Sequence, residues 1–150
     1  MEKLRLFALL GLLAGSGMVV SAGFEHYMAT NQADLGGPIA MANLNLTPAE
    51  AQRLIQANPQ GADVVILDVR TPDEFATGHL AEAVNLDYHS DTFRQQIAQL
   101  DSAKTYLIYC RTGVRSDRTL ALMQELGFQH LYNLLGGIVR WQEEGFMVLM

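Results

Sequence analysis

The sequence predicts an α/β fold: a central parallel sheet of about five strands with helices on both faces. Three observations predict it. Val64-Val65-Ile66-Leu67 and Thr105 to Tyr109 are continuous apolar and β-branched runs, the pattern of strands buried on both faces. Stretches with helical spacing of apolar residues lie between such runs. Strands alternating with helices in this way form parallel sheets.

The elements follow in order. Thr47-Pro48-Ala49-Glu50 combines a capping residue, a proline suited to the first helical position and a glutamate placed for a capping box. Leu54 and Ile55 are expected to face the core, and Asn58-Pro59-Gln60-Gly61 to end this helix. The strand through Val64 comes next. Val84-Asn85-Leu86 predicts a short strand, and Asp91 to Leu100 a helix with Phe93, Ile97 and Leu100 on one side. Thr105 to Tyr109 then runs directly into Cys110. Ser116 is expected to cap a helix with apolar positions Leu120, Met123 and Leu126, closed by Gly127. His130 to Leu134 reads as a further strand, and Gly136-Gly137 as the turn into a last helix through Ile138 and Trp141.

Composition narrows the function classes. A chain of 150 residues suits one domain of ordinary size, and 49% apolar with 17% charged residues favours a packed core over disorder. The net charge of −6 offers no basic footprint for nucleic acid. A single cysteine excludes an intramolecular disulfide and any cysteine-rich zinc or iron–sulfur site. His26, His79, His89 and His130 lack the spacing of paired metal ligands, so neither metal nor cofactor is expected.

The N-terminus has the form of an export segment. Lys3 and Arg5 precede a run from Leu6 to Phe24 without a charge, and Val20-Ser21-Ala22 offers small residues for cleavage. Cleavage after Ala22 and retention as a membrane anchor are both open, because an apolar run of this length can cross a bilayer core of about 30 Å. Either outcome places the remainder outside the cytoplasm, in the periplasm of a Gram-negative source. Residues 1–22 are thus read as signal or anchor, 23–43 as a linker or arm, and 44–150 as the folded domain.

Cys110 is the expected chemical centre. It stands where a buried strand ends and a loop leads to a helix, and such folds bind ligands at the carboxyl ends of their strands. In Cys110-Arg111-Thr112-Gly113-Val114-Arg115, Gly113 permits a tight curl whose amides form an anion-binding nest. The following helix N-terminus and the two arginines add positive potential, and all of this favours a thiolate. Asp68, at the end of another strand, is expected to orient Arg70 by a charge-assisted hydrogen bond, with a structural ion pair the favoured role. His79 is expected to be structural and Trp141 to pack in the core.

Cys110 to Ser116, CRTGVRS, resembles the active-site loop of single-domain rhodaneses. Leu67 to Phe75 with Gly78-His79-Leu80 and Ala83-Val84-Asn85-Leu86 resembles the family's upstream stretch, and Leu135-Gly136-Gly137-Ile138 with Trp141 and Gly145 its C-terminal end. One departure is Ala81-Glu82, where the family often has Pro-Gly. The resemblance implies a thiosulfate sulfurtransferase in which Cys110 holds a persulfide. It further implies that residues 111–115 cradle the sulfur, that Arg115 binds a small anionic donor, and that a thiol or cyanide accepts.

Rival readings differ in chemistry. A cysteine phosphatase or arsenate reductase places five residues between cysteine and arginine, whereas four separate Cys110 from Arg115. A thiol–disulfide oxidoreductase wants a second cysteine. A persulfide carrier or interaction domain using the same loop is the second reading.

Overall fold

The computed structural model describes residues 44–58 and 63–150. The expectations for residues 1–22 and 23–43, and the helix stop at Pro59-Gln60-Gly61, lie outside the described residues.

The fold starts with β1 (Asn45–Leu46) and α1 (Pro48–Gln56). The capping box forms as the sequence predicts: the Glu50 carboxylate accepts the Thr47 amide at 2.8 Å, and Thr47 Oγ1 accepts the Glu50 amide at 3.3 Å. After β2 (Val64–Asp68) the same device recurs, with Thr71 and Glu74 starting α2 (Pro72–Ala76). Sequence reading missed that helix, since five residues give no periodicity. Then follow β3 (Val84–Asn85), α3 (Phe93–Ala98), β4 (Thr105–Tyr109), α4 (Val114–Glu125), β5 (Leu131–Leu134) and α5 (Gly137–Glu143).

The described strands form one parallel five-stranded sheet in the order β1-β5-β4-β2-β3. β4 lies at its centre, and all five of its residues are buried. Side chains alternate across it. Leu107 and Tyr109 pack with Ala51 and Leu54 of α1 and Ile138 and Trp141 of α5. Tyr106, Ile108 and then Cys110 pack on the other face with Phe93 and Ile97 of α3 and Leu120 and Met123 of α4. Helices therefore cover both faces. Burying each large apolar side chain contributes about 1.5–3 kcal/mol, so the two clusters dominate the stability of the fold.

One expectation is corrected. Ser116 does not cap α4; Gly113 does, at φ +101°, and the helix begins at Val114. The left-handed glycine turns the chain straight from loop to helix, which carries Val114 and Arg115 into the first turn and swings Ser116 inward. β3 and α3 are slightly shorter than expected, and β5 begins at Leu131 rather than His130.

Candidate active site

Cys110 leaves the carboxyl end of β4 and is 1% exposed. Its Sγ accepts the Gly113 amide at 3.2 Å and lies 3.5 Å from Ser116 Oγ. Burial pushes the thiol pKa up, but the Ser116 hydroxyl and the amides of Ser116, Gly113 and Thr112 outweigh it and hold it below the ordinary thiol value. The Ser116 hydroxyl is the largest of these favourable groups, and the inward amides follow it.

The loop is fixed from behind by α5. The amides of Ile138 and Val139 donate to the carbonyls of Cys110 and Arg111 at 2.9 and 3.2 Å. This approach requires a glycine at 137, where a Cβ would stand 2.5 Å from each of those two carbonyl oxygens.

Arg115 points from the first turn of α4 to Glu74 of α2, in a bidentate ion pair of 2.8 and 2.7 Å. Glu74, in turn, is fixed by its capping hydrogen bonds to Thr71. The Arg115 hydrogen bond, against burial and with help from Thr71, holds the Glu74 carboxyl down at about 2. The Glu74 carboxylate and, after it, the Cys110 sulfur raise the Arg115 pKa above its ordinary value against the effect of burial. Sequence reasoning singled out Arg115 but not Glu74; 41 residues separate them and nothing local announces the pair.

Ser116 reaches a further group that sequence reasoning missed. Its Oγ donates to Asn133 Oδ1 of β5 at 2.6 Å, and Asn133 Nδ2 donates to Asn45 Oδ1 of β1 at 2.8 Å. The available signal was a polar residue inside an otherwise apolar strand. Arg111 and Thr112 are exposed at the loop tip, and Val114 is 58% exposed beside them.

Asp68 and Arg70 form a separate buried pair. Arg70 Nε donates to both Asp68 oxygens at 3.0 Å, and its Nη2 donates to Asp68 Oδ2 at 2.6 Å and to the Gly78 carbonyl at 2.7 Å. Arg70 also lies 5.6 Å over the Tyr109 ring, and the Tyr109 hydroxyl accepts the Leu80 amide at 3.1 Å. The pair ties β2 and β4 to the turn before β3, and the sulfur is not among its partners. His79 stacks on Phe75 at 3.9 Å and bridges to Leu149, which is a structural arrangement. Among the described residues, no group of three or more His, Cys, Asp or Glu side chains is placed to hold a metal, and no helix is long and apolar enough to cross a membrane.

Comparison with known proteins agrees with this fold. The profile of the family described as "Rhodanese-like domain" matches residues 47–144. A sulfurtransferase of Allochromatium vinosum is 31% identical over 100 residues, covering 67% of this chain and 92% of that protein. A tRNA uridine(34) hydroxylase of Cytophaga hutchinsonii is 34% identical over 107 residues, covering 69% of this chain but 33% of that longer protein. Among solved structures, a rhodanese-related protein from Thermoplasma volcanium superimposes with a TM-score of 0.61 at 28% identity, covering 70% of this chain and 96% of that one.

Proposed function

The chain belongs to the rhodanese-like family, and from that premise we propose that it moves a sulfane sulfur from thiosulfate, or a similar anionic donor, to a thiophilic acceptor through a persulfide on Cys110. The observation that carries the reading is a buried sulfur at a strand end, facing the Gly113 amide at 3.2 Å and the Ser116 hydroxyl at 3.5 Å. Such donors, fixed before any reaction, stabilise negative charge on the sulfur with little reorganisation.

The Cys110 thiolate attacks the outer sulfur of thiosulfate. A new S–S bond forms, the old one breaks, and sulfite leaves with the electron pair. An acceptor thiolate or cyanide then attacks the outer sulfur of the persulfide, and the Cys110 thiolate departs. Residues 111–115 cradle the transferred sulfur, and Arg115, oriented by Glu74, receives the anionic part of the donor. Asp68 and Arg70 support the site by holding the ends of β2 and β4 in place. Residues 1–22, with Lys3 and Arg5 before an uncharged run, direct this chemistry outside the cytoplasm.

A second reading, a persulfide carrier that hands its sulfur to a partner protein, is favoured by apolar exposure at the loop. Val114 and Leu135 are 58% and 41% exposed, and the Gly113 and Gly136 beside them approach each other.

The test is the intact mass of the protein before and after thiosulfate, alongside Cys110→Ser. A gain of one sulfur atom, absent in the variant and reversed by cyanide, is the expected result. A gain reversed by a protein thiol but not by cyanide favours the carrier. No gain from thiosulfate or from an organic persulfide overturns both readings.

A further inference from the structure

We propose that Asn133 is a positioning residue for sulfur transfer: from β5 it holds the Ser116 hydroxyl against the Cys110 sulfur, in a hydrogen-bonded chain that runs on to the half-buried Asn45 of β1. The proposal rests on the reading of Cys110 as the sulfur-bearing nucleophile.

Ser116 is 0% exposed and Asn133 is 4% exposed, so water does not substitute for either partner. A serine side chain has three staggered wells. The 2.6 Å bond to Asn133 selects the one that sets Oγ beside the sulfur. That oxygen carries a single proton but faces three acceptors: Asn133 Oδ1 at 2.6 Å, the Gly113 carbonyl at 3.1 Å and Sγ at 3.5 Å.

With a neutral sulfur, the closest acceptor keeps the proton. When the sulfur becomes anionic, a charge-assisted bond is about twice as strong as a neutral one, and the proton turns to Sγ while the oxygen stays in place. Asn133 answers by a half-turn of its amide, which then offers Nδ2–H to the Ser116 oxygen, and the Asn45 amide turns with it so that its NH2 donates to Asn133 Oδ1. An apolar side chain or a carboxylate at 133 lacks that pair of faces. The chain thus supplies a donor to the sulfur on demand.

The experiment is the pH–rate profile of Cys110 alkylation by iodoacetamide, which reports this thiol alone because the protein has one cysteine. The charged groups around the sulfur are Arg115 on α4, its partner Glu74 on α2 and Arg111 in the loop. All are retained, so differences between variants report the hydroxyl chain. Asn133→Ala and Ser116→Ala are each expected to move the profile upward by about one pH unit, slowing alkylation at pH 7 about tenfold while the alkaline plateau is kept. In the double variant the profile moves no further than with Ser116→Ala alone, since Asn133 acts through Ser116.

Asn45→Ala, at the partly exposed end of the chain, is expected to give a smaller shift of the same sign, and it supplies the readout if Asn133→Ala does not fold. An Asn133→Ala profile that overlays the native one, or effects that add in the double variant, overturns the proposal; with Asn133→Ala unfolded, an unshifted Asn45→Ala profile does the same. Alkylation needs no sulfur donor. A native protein that gains no sulfur while the coupling holds would therefore remove the transferase reading and leave the role of Asn133 in thiol ionisation standing.

Discussion

Arg115 and Glu74 close a bidentate ion pair, at 2.8 and 2.7 Å, between the first turn of α4 and the first turn of α2. The same Glu74 carboxylate completes the capping box of α2, so one side chain both starts a helix and anchors the Arg115 side chain. Its folded-state pKa lies at about 2, below the ordinary carboxyl value. A depressed acid contributes stability that is complete above the unfolded pKa and disappears as pH falls through the folded one. Native stability should therefore decline from about pH 4.5 down to about pH 2 in a way that Glu74→Gln does not share. At pH 7 the variant should be less stable by about 1 kcal/mol, since the pair is partly exposed. Urea unfolding across this pH range checks both; parallel curves would mean that the pair contributes nothing.

Gly137→Ala should be among the most damaging single-methyl additions. The new Cβ meets the Cys110 and Arg111 carbonyls at 2.5 Å on a backbone of φ +61°. A loss of about 2–4 kcal/mol is expected, combining overpacking with left-handed strain. Gly127→Ala is the control, with positive φ but nothing within 4 Å of the added atom, and about 1 kcal/mol is expected there. Equal losses in denaturant melts would assign the effect to backbone strain alone.

Asp68→Ala leaves the Arg70 guanidinium buried without its carboxylate, and should lose about 3–5 kcal/mol. Replacing the pair together, as Asp68→Leu with Arg70→Met, should recover at least half of that loss, because an apolar pair of similar volume needs no compensating charge. Thermal unfolding of the single and double variants decides between these outcomes. A double variant as unstable as the single would show that Gly78 and Tyr109 depend on Arg70 itself.

Glu82 has φ +61° and is the one described residue other than glycine with a positive value. It falls in the Ala81-Glu82 turn that leads into β3. Glu82→Gly relieves left-handed strain but adds freedom to the unfolded chain, for a net gain of about 0.5–1 kcal/mol. A rise in the urea midpoint at constant slope is the expected sign.

Most of the sheet was legible because its strands are strongly apolar and its turns carry Gly, Pro and capping residues. β1 was not, since two residues give no pattern and its place in the sheet depends on pairing with Asn133 and Leu134. α2 was legible in principle, for Thr71-Pro72-Asp73-Glu74 has the same form as Thr47-Pro48-Ala49-Glu50. Serine before a helix usually caps it, so local sequence points Ser116 to its own helix; its actual partner, Asn133, lies 17 residues away. Cys110 and its loop were visible from residue types and order. Glu74 and Asn133 reach that loop only through the three-dimensional fold, which brings α2 and β5 to the end of β4.

The contact between Gly137 and the carbonyls of Cys110 and Arg111 also bears on the order of folding. Residues 136–139 emerge from synthesis after every other part of the sulfur loop, and their amides complete the shape of its backbone. Until α5 docks, the loop lacks these two backbone hydrogen bonds, so the fixed curl around the cysteine waits on the last helix. On the proposed reading of Cys110, maturation of the nucleophile is thereby coupled to closure of the domain, which spares the nascent polypeptide premature alkylation at its one thiol.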